Sequence, residues 1–384
     1  MVLSLLALAC HPPSESASGP THPDATPGSP QPAREWTIAI WLDGDNNLEA
    51  YVPHDMDELE RAAYGPATIV AQIDRIPGYM DEAGAWDGTR RYAFVADDQR
   101  GPVSPMLEDL GEVDMGDPAA LADFLTWTHE NYPAQHYALV FWNHGGGFWI
   151  ASDDTDGGRI DVTNGELEAA LRPLVDLRGP IDVVGFDACN MGQWEVAEAL
   201  RGEALTMVAS QAWVDGGGYA YDAAFPAIKP GDGPAVIADL LAWSAGEVNG
   251  ELTQSAIDLV ALEEASLAID ALARVTSADT FARGRAKAHS TDLVWDDFWV
   301  DAGSFATRVA DFDEPETGPA AAAMRDALDA AVISTYNSPE LAFATGLTVF
   351  GDTDHASWVE RYAQGPWAWT GWDELLTEAH DAGL

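Results

Sequence analysis

Residues Ile181-Asp-Val-Val-Gly-Phe-Asp-Ala-Cys-Asn-Met-Gly192 decide the fold. Ile181 to Phe186 are dense in β-branched and aromatic side chains, with Gly185 the only turn former, which is the composition of a strand buried in a parallel sheet. Met191, Trp194, Ala197 and Leu200 then recur at helical spacing and predict a helix. Cys189 therefore falls on the turn between the carboxyl end of a core strand and the amino end of a helix. In open α/β sheets ligands bind at that edge, and helix N–H groups there favour a thiolate. The position suits a nucleophile.

Upstream, Tyr137-Ala-Leu-Val-Phe-Trp142 has the same core-strand pattern and runs into Asn143-His-Gly-Gly-Gly147. If the two strands share one sheet, His144 and Cys189 emerge on one edge, where imidazole and sulfur face a common substrate. Glycine after the histidine lets a backbone N–H approach that substrate closely. The other histidines lack this strand-end setting. Further strands are expected at Trp36–Leu42, Thr68–Ile73, Arg90–Val95, Leu205–Ser210, Ser255–Leu259 and Gly346–Phe350. Helices are expected up to Ala63 and over Pro118–Glu130, Glu166–Leu174, Ala235–Glu247, Leu262–Thr276 and Ala320–Ile333. The alternation predicts an α/β fold, a mostly parallel sheet flanked by helices on both faces. No proline-rich linker divides the later part, so a core over 35–230 and a C-terminal α/β elaboration over 231–384, packed on that core, are expected.

The chain has 384 residues, 47% of them hydrophobic, enough for one large core. Its 64 acidic against 18 basic residues give a formal charge of -46, which repels nucleic acid and anionic membrane surfaces. No nucleic-acid partner is expected. Of the two cysteines, Cys10 ends the apolar run Val2–Ala9, and Ala7-Leu-Ala-Cys10 resembles a bacterial lipoprotein cleavage site. Residues 1–10 are read as a signal or lipoprotein-like segment with lipidation at Cys10, and 11–34, rich in Pro, Ser and Gly, as a flexible tether. Export is expected, with the membrane reached only through a lipid anchor at Cys10. Cys189 is then the single thiol of the mature chain.

Two acidic loops invite a calcium reading. Asp43-Gly-Asp-Asn-Asn47 opens like a calcium loop, but Leu48 and His54 stand where the EF-hand needs glycine and glutamate, so Asn47 is read as a helix cap. Asp153-Asp-Thr-Asp156 is read as a solvated turn, with calcium as the alternative.

The chain resembles the clostripain-like cysteine peptidases, which have the caspase-like fold. The resemblance rests on Trp36–Leu48, Asn143–Gly147, Asp153–Thr155 and Asp187–Gly192, and continues through Ala209–Gln211, Gly218–Tyr221 and Ser255–Leu259. It implies an endopeptidase acting on proteins or peptides, with Cys189 as nucleophile and His144 as proton carrier. The dyad requires no cofactor, and calcium is possible. Peptide hydrolysis by a thiol also needs oxyanion donors, and the N–H groups of Gly145 and Cys189 are the candidates. By the same resemblance Asp187 matches an acid in the pocket for a basic P1 side chain. Relatives cleaving after Arg or Lys carry a second acid where this chain has Gly217; the nearest acid is Asp215. Arg159, in the loop after the histidine, is the candidate site of self-processing. An esterase would need a Gly-x-Ser-x-Gly elbow, which the sequence lacks. The alternative function is a non-catalytic surface binding protein that keeps the fold.

Overall fold

The strands of the computed structural model, described over residues 34–78, 86–290 and 298–384, are β1 (Arg34–Gly44), β2 (Thr68–Arg75), β3 (Thr89–Ala93), β4 (Met106–Gly111), β5 (Ala134–Trp142), β6 (Trp149–Ile150), β7 (Ile160–Asp161), β8 (Ile181–Asp187), β9 (Ala204–Ala209), β10 (Thr253–Asp258), β11 (Trp299–Asp301), β12 (Val332–Asn337) and β13 (Thr348–Phe350). The signal-like segment with Cys10, and the tether apart from Arg34, lie outside the described residues. Nine strands form one sheet in the order β12-β10-β9-β8-β5-β1-β2-β3-β4. Its five central strands, β9-β8-β5-β1-β2, run parallel, and two antiparallel strands flank them on each side.

The parallel strands are buried on both faces, which is why they read as continuous apolar runs. Along β1 the side chains alternate: Trp36, Ile38, Ile40 and Leu42 enter one core, Ala39 and Trp41 the other. The first core is closed by helices Val52–Ala62 and Pro234–Trp243 through Val52, Met56, Leu59, Ile237 and Leu241. The second is closed by helices Pro118–Asn131 and Glu166–Arg178 through Leu121, Phe124, Leu125, Leu167, Leu171 and Leu174. Each fully buried Leu, Ile or Phe contributes roughly 1.5–3 kcal/mol relative to exposure. The frame under the strand ends is therefore rigid.

Arg34–Leu384 is one compact unit, and β10 and β12, both beyond residue 231, are strands at one side of the same sheet. β13 pairs with β11 in a separate ribbon rather than joining the main sheet. The helix expected through Ile333 ends at Ala331, because Val332-Ile-Ser-Thr-Tyr is β-branched and aromatic and pairs with β10 instead. β4, with no counterpart among the expected strands, is a mostly exposed edge bearing Glu108 and Asp109, charges that discourage further strand pairing.

Candidate active site

β5 and β8 are neighbours in parallel register, with Trp142 opposite Asp187. His144 and Cys189 each lie two residues beyond that pair, so the backbone alone delivers both to one edge. The N–H of Asn143 donates to the Asp187 carbonyl at 3.4 Å and ties the two strand ends together. Gly145 sits where only glycine fits. A Cβ there would lie 2.5 Å from the Cys189 carbonyl oxygen, 2.9 Å from Met191 Cγ and 3.1 Å from Ala188 Cβ.

The turn after Cys189 differs from the expected one. The helix begins only at Trp194, because residues 190–193 first cross the sheet edge: Gly192 N–H donates to Ser210 O at 2.6 Å, and Thr348 N–H donates to Gly192 O at 2.9 Å. The thiol is thus held by a loop instead of a helix end. Cys189 Sγ accepts from the Val214 N–H at 3.4 Å and lies 3.7 Å from the Val214 carbonyl. Burial pushes the thiol pKa up, the Val214 N–H pulls it back in part, and the carboxylates of Glu251 and Asp187 push it up further.

His144 is half-buried, and that burial lowers its pKa despite the opposing charge of Asp154. Its Nε2 lies 2.6 Å from Asn47 Oδ1. With a carbonyl oxygen as partner, Nε2 carries the hydrogen and Nδ1 keeps its lone pair. Asn47 is therefore the partner of the histidine and does not cap the helix. The local turn is held instead by Asn46, whose Oδ1 accepts from Leu48 N–H at 2.9 Å. Asn143 fixes the base of the histidine loop: its Nδ2 donates to Asp43 Oδ2 and to the Ser152 carbonyl, and its Oδ1 accepts from the His144 N–H.

His144 and Cys189 line one small cavity, about 120 Å³, together with Leu48, Trp142, Asp187, Asp215 and Gly218. Asp187 is buried in its wall. Tyr219 N–H at 3.0 Å and Tyr221 Oη at 2.8 Å donate to its Oδ2, so it clamps the following loop rather than the next helix. Burial outweighs those bonds and pushes Asp187 up to about 7. Gly218, at φ +49°, lies against the same carboxylate, where any Cβ would clash with both oxygens. Asp215 lies at the rim, exposed. Its N–H donates to Glu251 Oε2 at 2.8 Å. Glu251 is a third acid of this region that sequence reasoning missed. Burial pushes it up to about 7, and its Oε1 is buried without a hydrogen-bond partner. Arg159 is exposed, its guanidinium 5.5 Å from the centre of the Trp149 ring.

Beside the histidine loop the two acidic loops meet. One oxygen from each of Asp45, Asp74, Glu112 and Asp153 lies within 4.8 Å of the others. Asp45, Asp74 and Asp153 are buried, and Asp74 Oδ2 has no hydrogen-bond partner. Burial, aided by neighbouring carboxylates, pushes Asp74 up to about 8 and Glu112 to about 6. An orphaned buried oxygen in an all-carboxylate donor set fits a hard cation such as calcium. The solvated-turn reading of Asp153 is corrected: its oxygens accept from Met115 N–H at 3.0 Å and Asp156 N–H at 2.9 Å in a buried cluster.

Residues 40–362 match the sequence model of the clostripain family. Clostripain of Hathewaya histolytica is 31% identical over 226 residues, which cover 51% of this chain and 43% of that protein. The chain thus aligns with less than half the length of that relative. Among solved structures, an inactive zymogen C11 protease from Parabacteroides distasonis superposes with a TM-score of 0.69 at 17% identity, over 88% of this chain and 98% of that one. A secreted C11 cysteine protease from Bacteroides thetaiotaomicron, in complex with an irreversible peptide inhibitor, gives 0.66 at 17% identity, over 89% and 99%. These structures share the caspase-like fold, and the sequence match extends from β1 to beyond β13, so the chain belongs to the clostripain family.

Proposed function

We propose that this protein is a cysteine endopeptidase working through Cys189 and His144. The observation that carries the reading is their meeting in one cavity at the carboxyl edge of adjacent strands, with a buried acid in its wall. Both groups rest neutral, since burial raises the thiol and lowers the imidazole. His144 Nδ1 takes the Cys189 proton as Sγ bonds to the scissile carbonyl carbon. The N–H groups of Gly145 and Cys189 receive the oxyanion; their neighbours are already engaged, Gly146 N–H with Trp149 O and Asn190 N–H with Ala212 O. As the C–N bond breaks, the imidazolium protonates the leaving amine and a thioester remains. Water, losing its proton to His144, then hydrolyses the thioester and restores the thiol.

Asp187 receives a basic P1 side chain, with Asp215 at the rim. Glu251 supports them from below by holding the Asp215 N–H, which offsets the absence of an acid at Gly217. Arg159 is the proposed processing site, exposed ahead of β7. Residues 35–230 act as the catalytic core and 231–384 as an elaboration that extends the sheet. Export with a lipid anchor at Cys10 is part of the proposal, and the Bacteroides thetaiotaomicron relative is a secreted protease.

Asp45, Asp74, Glu112 and Asp153 would hold a calcium ion, which would neutralise their repulsion and supply no catalytic step. The ion's effect on the dyad is positional: the Asp43–Asn47 loop carries both Asp45 and the histidine's partner. Calcium is expected to raise the melting temperature of chelator-treated protein, and Asp45→Asn to abolish that rise. An equal rise in the variant contradicts the site. Replacement of Cys189 by Ala, with the melting curve retained, is expected to abolish hydrolysis of Arg-bearing fluorogenic peptides.

A further inference from the structure

We propose that the aromatic cavity beyond Cys189 is a subsite for the leaving-group half of the substrate, taking a large uncharged aromatic side chain; the inference rests on the hydrolase reading. This cavity measures about 550 Å³, within the usual range of ligand sites, and its walls include Phe148, Trp149, Trp213, Phe298, Trp299 and Trp358. It shares a single residue, Cys189, with the acid-walled cavity. A peptide crossing the thiol therefore has one half on each side.

Direction comes from the chain. The acid-walled side takes P1. His144 borders the acid-walled cavity and protonates the leaving amine, so the leaving half departs along the adjoining Gly145-Gly146 backbone, which borders the aromatic cavity. Gly145, Gly146, Phe148 and Trp149, which come after the histidine, wall the aromatic cavity. Chemistry comes from the lining. Apart from the Cys189 thiol, no ionisable side chain among the described residues borders the cavity, in a protein whose formal charge is -46. Walls made of aromatic rings favour another large ring over a hydrated charge.

The pocket is also pre-formed. Phe148 meets Trp299 edge-on at 4.8 Å and stacks on the buried Trp367 at 5.4 Å. At Gly146 any Cβ would strike the Trp149 indole, so glycine lets that ring lie against the histidine loop. Trp213 is 39% exposed, leaving one side of the mouth open.

The test uses internally quenched peptides with Arg at P1 and Phe, Trp, Gly or Glu directly after the scissile bond, alongside an arginine methyl ester that has no amino acid on that side. A second series varies the residue before Arg. Aromatic residues after the bond are expected to raise kcat/KM about tenfold or more over Gly, with Glu below Gly. Trp358→Ala, or Trp213→Ala should the first variant fail to fold, is expected to erase most of that ratio. Ester hydrolysis with equal rates for Phe, Gly and Glu overturns the subsite and leaves the hydrolase standing, as does an aromatic preference confined to the residue before Arg. Cleavage of neither ester nor peptide overturns both.

Discussion

Gly145→Ala tests whether the close approach of the histidine loop to the nucleophile turn is a working part of the site. The new Cβ would sit 2.5 Å from the Cys189 carbonyl oxygen, about 1 Å short of ordinary contact, with Met191 Cγ and Ala188 Cβ also in close contact. Either the histidine loop or the cysteine turn must move by a comparable distance. Such overpacking costs about 1–3 kcal/mol of stability. A displacement of that size at reacting groups costs about 100-fold, and withdrawing an oxyanion donor costs about 2.7–4 kcal/mol in the transition state. Hydrolysis of an Arg-bearing fluorogenic peptide is therefore expected to fall about 100- to 1000-fold in kcat, while melting drops by only a few degrees. Gly233, where a Cβ would meet nothing within 4 Å, supplies the control: Gly233→Ala is expected to leave kcat unchanged. A Gly145→Ala protein with kcat within a few-fold of the parent refutes the reasoning about this contact.

Asn47→Asp puts a carboxylate on His144 Nε2, which stabilises the imidazolium. The acid limb of the kcat/KM profile is expected to move to higher pH, whereas a purely structural Asn47 would leave the limb in place and change only the amount of folded protein. Asp187 rests near 7 because of burial, so it gains its charge as pH rises through that value. KM for an Arg peptide is expected to fall between pH 6 and pH 8, and in Asp187→Asn that fall is expected to disappear; a KM flat across the window contradicts the pocket assignment.

The sequence pattern carried the strand ends well, because strands of a parallel sheet are unbroken apolar runs and the residues just beyond their carboxyl ends share one edge. That put His144 and Cys189 just beyond two core-strand ends, on one edge if the strands shared a sheet; that β5 and β8 are neighbours is seen only in the fold. Cooperation between distant segments is what escaped notice. Asp45, Asp74, Glu112 and Asp153 come from four loops or strand ends; the loops of Asp45 and Asp153 invited a calcium reading one at a time, but Asp74 and Glu112 carry no such signal, and only folding makes the four a donor set. Asn47 resembled a helix cap, since Asn before an apolar period is a good capping signal, and Asn46 took over the turn. The thiol's real partner, Val214, has no chemical signature in the sequence because the contact uses its backbone N–H. Glu251 is 36 residues from the N–H it holds, and no local pattern announces that bond. The exposed acidic strand β4 was hidden for a different reason: an edge strand need not be apolar.

Cys189 as the nucleophile of a hydrolase that receives a basic side chain beside it is the central claim. An irreversible peptidyl electrophile with Arg at P1, combined with peptide mass mapping and residual hydrolysis on the same sample, tests it directly. The account predicts one adduct per chain, located on Cys189, with hydrolysis lost in proportion to labelling. Hydrolysis that persists after Cys189 is fully modified, or in Cys189→Ala, contradicts it.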